Sequence, residues 1–185
     1  MNAIYLLPLG DADRTVLTVM RQPLSETFHA TVELKECDLN LARFYDEGRL
    51  QYNSTQIIRF LQDQYRQIVG QSGEGDPPPK LLAVSGEDLF IPILTYVFGE
   101  AQLGGSCAVV SYHRLQNERY GLPPDEELLL ARLTKEAVHE MGHAFGLIHC
   151  ASQECVMHIS TYVEDIDLKG DTLCSRCAGE IDSKL

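Results

Sequence analysis

The chain has 185 residues, 44% of them hydrophobic and 23% charged, with 27 acidic side chains against 15 basic ones and a formal charge of -12. Such a composition is globular and long enough to bury a core, and the length favours one domain. The acidic balance argues against nucleic acid and anionic membranes as partners, because phosphate binding needs clustered Lys and Arg. No stretch approaches the roughly 18 apolar residues that cross a bilayer. The start, Met1 to Gly10, lacks a basic n-region, so a cytoplasmic location is expected. The six cysteines are then expected to be reduced thiols or metal ligands.

Ile4 to Leu9 reads as a short buried strand. Asp13 to Phe28 has helical spacing, with Val16, Val19 and Met20 on one side, and Pro23 is expected to end or kink it. Ala30 to Leu34 alternates like a second strand. Thr55 to Val69 predicts a helix, because Ile57, Ile58, Leu61, Tyr65 and Ile68 recur at steps of three and four. Gly70 to Pro79 reads as a loop. Leu81 to Val84, Tyr96 to Phe98 and Ala108 to Ser111 read as further strands, with glycines suited to a turn between Gly99 and Ser106. Alternating strands and helices argue a mixed α/β layer.

A long helix opens after Leu122-Pro123-Pro124, with Asp125 as N-cap and Glu126 and Glu127 in the positive first turn. Its apolar stripe runs through Leu130, Leu133, Ala137, Met141, Ala144 and Ile148. The same helix carries His139-Glu140-Met141-Gly142-His143. Two histidines at i and i+4 point the same way and can reach one metal. Gly146 lets the chain leave the helix with positive φ, and the turn returns His149 as a third ligand. Three nitrogens leave one tetrahedral position open for water, the arrangement of a catalytic zinc. Glu140 is then the general base for that water. The reaction class is hydrolysis of a peptide or related amide, and the partner is a peptide or protein substrate.

Cys150 and Cys155, followed by Cys174-Ser175-Arg176-Cys177, could together supply a closed, structural four-thiolate zinc site. A thioredoxin-like redox pair and unliganded or oxidised thiols are the competing readings. Cys37 and Cys107 read as ordinary buried residues. Tyr162 and His158 are candidates for the cleft, with packing roles as the plainer reading. His29 and His113 read as structural, and Glu87 with Asp88 as a solvated pair.

HExxHxxGxxH, here His139 to His149, resembles the metzincin clan of zinc peptidases. Cys150, Cys155 and Met157 directly after it, then Cys174 and Cys177, narrow the resemblance to the archaemetzincins. The resemblance implies a twisted mixed α/β (α+β) sheet with an active-site helix at about 125–147. It implies a Met-turn at Met157 and a small C-terminal lobe carrying a four-cysteine zinc. It further implies two zinc ions per chain, one catalytic and one structural. The edge strand above the cleft would lie within Gly99 to Ser111, and the enzyme would be monomeric and aminopeptidase-like. Leu173 stands before the CxxC where an aromatic is expected. On this reading residues 1–185 form one metalloprotease domain, with residues 1–149 as N-terminal lobe and 150–185 as C-terminal lobe. The alternative functions are a zinc-stabilised binding module with a weak or gated site, and a thiol redox protein.

Overall fold

The computed structural model describes residues 2–70 and 77–184. It is a mixed α/β protein built on a five-stranded sheet in the order β2-β1-β5-β8-β7. Strands β1 (Asn2–Leu9), β2 (Ala30–Leu34), β5 (Lys80–Ser85) and β8 (Cys107–Ser111) run parallel, while β7 (Gly99–Ala101) adds antiparallel to β8 at the edge. Short strands β3 (Tyr45–Asp46), β4 (Gln51–Asn53) and β6 (Leu89–Phe90) form a second small sheet.

Alternation along the strands divides the apolar side chains between two cores. Ile4, Leu6, Leu82, Val84, Ala108 and Val110 face helices α1 (Arg14–Phe28) and α4 (Glu126–Ala144). Leu7, Leu9, Leu81, Ala83 and Val109 face the opposite way, where α2 (Ser54–Asp63) packs Ile57, Ile58 and Leu61. The first core continues into the tail through Cys155, Val156, Met157, Ile166, Cys177 and Ile181. Helices α5 (Val163–Leu168) and α6 (Ser175–Asp182) belong to that tail. No helix among the described residues is long and apolar enough to cross a membrane.

Several expectations need correction. Helix α1 runs through Pro23 without a break. Pro23 has no N–H to donate to the Val19 carbonyl one turn back, and Val19 is exposed, where water can serve that carbonyl. The helix expected over Thr55–Val69 divides at Gln64 into α2 and α3 (Tyr65–Val69). The apolar period crosses the break unchanged, so it could not reveal the turn. Tyr96–Phe98 is not a strand: Val97 makes one bridge to Leu89, and regular pairing begins at Gly99. Cys37 lies half-buried in an irregular segment after β2, whereas Cys107 is fully buried in β8. Asp88 is not solvated; Arg114 grips its carboxylate through two bonds of 2.6 Å, and Gln51 adds a third at 3.1 Å. Of the loop expected over Gly70–Pro79, residues 71–76 lie outside the described residues.

Candidate metal centre and catalytic cleft

Helix α4 starts as its sequence requires. The Asp125 carboxylate accepts from the Leu128 backbone N–H, with Glu126 and Glu127 in the first turn. The helix stops at Ala144, and Gly146 follows at φ 89. Gly146 N–H donates to the His143 carbonyl and Leu147 N–H to that of Gly142, both at 2.8 Å. This left-handed turn reverses the chain and returns His149 to the helix face that carries His139 and His143.

The three imidazoles converge. Their ring centroids lie 4.7, 5.2 and 4.8 Å apart, and each offers a nitrogen within 4.8 Å of the others. His139 Nε2 and His143 Nε2 are 3.1 Å apart. Two nitrogens on a tetrahedral zinc at about 2.1 Å stand roughly 3.4 Å apart, so the spacing fits. The backbone selects which nitrogens could bind a metal. His139 Nδ1 lies 2.8 Å from the Val156 carbonyl, and His143 Nδ1 lies 2.8 Å from that of Leu147. A carbonyl can only accept, so each Nδ1 carries the proton and each Nε2 presents a lone pair. Burial holds both rings below the ordinary histidine range, and desolvation does the same to His149, the exposed member of the three. The nearby Lys169 ammonium adds to that depression, and neutral imidazole is the ligating form.

Glu140 is buried beside the cluster. Burial pushes its carboxyl well above the ordinary range, Glu136 adds to the shift, and Lys169 opposes it. A divalent ion held by the imidazoles would act in the same direction as Lys169. Edge strand β7 comes close to Glu140 because residue 99 has no side chain. A Cβ on Gly99 would lie 2.6 Å from Glu140 Cγ and 2.8 Å from its Oε1. We predict that Gly99→Ala lowers kcat by about 100-fold through displacement of Glu140. Bound zinc should stay unchanged, which metal analysis beside steady-state kinetics will check.

A cavity of about 510 Å³ joins the imidazoles, Glu136, Glu140 and strand β7. Tyr96, Phe98, Ile159 and Tyr162 give it apolar walls, and no Lys or Arg among the described residues lines it. The rims are pinned by polar contacts. Tyr96 Oη donates to the Thr161 carbonyl at 3.0 Å, and Asp165 accepts from the N–H groups of Thr161 and Tyr162. Tyr162 is thus an exposed rim residue. His158 is half-buried, with Nδ1 3.0 Å from the Cys150 carbonyl. On the far side of β7, Ser54 and Thr55 at the start of α2 donate to the Glu100 carboxylate.

The four cysteines form the second donor set. Cys150, Cys155, Cys174 and Cys177 bring their sulfurs within 4.8 Å of one another, and Cys150 Sγ lies 3.8 Å from Cys174 Sγ. That is far longer than a disulfide, about 2.05 Å. It matches the roughly 3.8 Å between sulfurs on a tetrahedral zinc at about 2.3 Å. The Cys177 backbone N–H lowers the Cys174 thiol to about 7, while burial raises Cys155 and Cys177. Arg176 donates to Cys150 Sγ at 3.2 Å and offsets part of the thiolate charge. Met157 is fully buried under the helix; a Cβ on Gly142 would lie 2.4 Å from its sulfur. Leu173 packs against the main core.

Sequence reasoning missed Lys169 and Glu136. Both side chains are almost wholly buried, and Lys169 Nζ lies 2.7 Å from the Glu136 carboxylate and 3.5 Å from His139 Nδ1. Glu136 precedes Glu140 by one helical turn, which was available as a signal. Nothing near Lys169 in the chain announced its burial.

The chain is similar to known proteins over most of its length. The model of peptidase family M54 matches residues 31–183. The archaemetzincin of Pyrococcus furiosus is 45% identical over 193 residues, spanning 100% of this chain and 94% of the relative. That of Archaeoglobus fulgidus is 41% identical over 180 residues, spanning 96% and 98%. The crystal structure of the Archaeoglobus fulgidus archaemetzincin complexed with malonate superposes with a TM-score of 0.76 at 37% identity, covering 97% of this chain and 99% of that one. A zinc-dependent peptidase from Methanocorpusculum labreanum gives a TM-score of 0.82 at 27% identity, covering 97% and 100%.

Proposed function

The chain belongs to peptidase family M54, the archaemetzincins, and on that premise we propose that this zinc metallopeptidase cleaves peptide bonds with water, at a zinc that His139, His143 and His149 would hold. The observation that carries the reading is the convergence of three neutral imidazoles, two with their Nε2 lone pairs selected by backbone carbonyls. His139, His143 and His149 would hold the zinc, which would supply activation of water and polarisation of the scissile carbonyl. Glu140 takes the proton of the attacking water and passes it to the leaving amine. The substrate lies extended along β7, whose edge backbone offers pairing groups, and Gly99 leaves room between that strand and Glu140.

Met157 serves as the Met-turn residue beneath the site. Cys150, Cys155, Cys174 and Cys177 hold a second, structural zinc, so the loaded chain carries two. Residues 1–185 act as one catalytic domain, in which that second zinc ties the lobe 150–185 together and pins it beside His149, the last residue of the lobe 1–149. Thiols kept as metal ligands suit a reducing compartment such as the cytoplasm, and the enzyme acts as a monomer. An aminopeptidase-like preference follows from the family resemblance, and a peptide library with free and acetylated N-termini decides it.

Metal analysis tests the reading. The purified chain is expected to hold two zinc ions. Mild chelation should remove the one on the imidazoles together with hydrolysis, and added zinc should restore both. Hydrolysis that survives with the histidine site demonstrably empty refutes the mechanism.

A further inference from the structure

The two donor sets are parts of one short piece of chain. His149 and Cys150 are consecutive, and the loop after Cys150 returns through Cys155, Val156 and Met157. Between the two cysteines, residues 151–154 are exposed, so apolar packing does not shape this stretch. Contacts at its ends shape it instead. Cys150 N–H donates to the Met157 carbonyl at 2.9 Å, Val156 N–H donates to Thr172 at 2.9 Å, and Cys174 N–H donates to Cys155 Sγ at 3.3 Å. Two products of that loop reach the histidines. The Val156 carbonyl orients His139, and Met157 fills the space under Gly142, next to His143.

We propose that the four-cysteine cluster is the positioning device of the histidine site. A metal shared by the four sulfurs holds the Val156 carbonyl against His139 and Met157 against the helix, and so sets how tightly the imidazoles retain their own ion. The inference rests on the reading of both clusters as metal sites. Its physical basis is coordination and entropy. A shared cation draws four sulfurs to this spacing, whereas S–H contacts are weak and Arg176 adds one hydrogen bond, to Cys150. With the cation gone, the sulfurs have no reason to converge and the loop gains freedom. Metal binding at the histidines must then order Val156 and the His139 ring again, which weakens it. Coupling of this kind is commonly worth about 5- to 150-fold in affinity, and it is reciprocal.

The experiment uses the full chain loaded with cobalt(II) at both sites, since thiolate and imidazole coordination absorb differently. An organomercurial that captures thiols empties the cysteine site, while a chromogenic chelator reports affinity at the histidine site. The expected result is a dissociation constant at the histidines raised at least about tenfold, with helical ellipticity retained. A second arm compares Cys174→Ser with Cys174→His. The histidine variant keeps a metal ligand and should preserve histidine-site affinity, whereas the serine variant should lose it. Two metals that bind with independent affinities overturn the inference and leave the proposed function standing. A chain that takes up metal on the thiols alone overturns both.

Discussion

Glu140→Gln is expected to lower kcat by about 10²- to 10⁴-fold, the range supplied by a positioned general base, while both metals stay bound. Glutamine matches the shape of Glu140, so the close fit beside Gly99 is kept. It cannot take a proton from water. The environment of Glu140 suits a base that works in a dry pocket. Burial and Glu136 raise its affinity for a proton, while Lys169 and a divalent ion favour the carboxylate. The check is kcat on a peptide cleaved by the parent chain, measured beside zinc content and thermal unfolding. A variant that keeps both metals and loses less than tenfold in kcat shows that another group accepts the proton.

Lys169→Met is expected to destabilise the chain by about 3–5 kcal/mol, the cost of leaving a buried charge without its partner. Lys169 Nζ sits 2.7 Å from Glu136, with the two side chains 0% and 4% exposed. Removing the ammonium leaves the Glu136 carboxylate in a dry interior next to Glu140. The pair also rests on a frame: Lys135 Nζ binds the carbonyls of Ile166 and Lys169, and Arg132 holds Asp167 through two bonds of 2.7 Å. The double change Lys169→Met with Glu136→Leu removes both charges and should recover most of the loss. Urea unfolding of the parent, two singles and the double closes the cycle. A single Lys169→Met that costs under about 1 kcal/mol rules out a tightly paired buried ion there.

Part of this site was open to a reader of residues alone. The i, i+4 spacing of His139 and His143, the N-cap Asp125 and the glycine at 146 are local relations, and an α-helix converts such spacing directly into direction. The cysteine pairs were legible for a similar reason, because few arrangements other than a metal site place two such pairs so close to HExxH. The periodicity that found α2 missed its break at Gln64. A dihedral change at one residue leaves an apolar pattern intact.

What the amino-acid order determined was the candidate ligand set, the helix that carries it and the turn that closes it, because each depends on contacts a few residues apart. The tertiary structure alone decided which groups tune that set. Lys169 meets Glu136 across 33 positions, Val156 reaches His139 across 17, and Gly99 makes room for Glu140 across 41. Those encounters follow from how the sheet edge, α4 and the tail pack together. Burial then turns an unremarkable lysine and a single glycine into parts of the site.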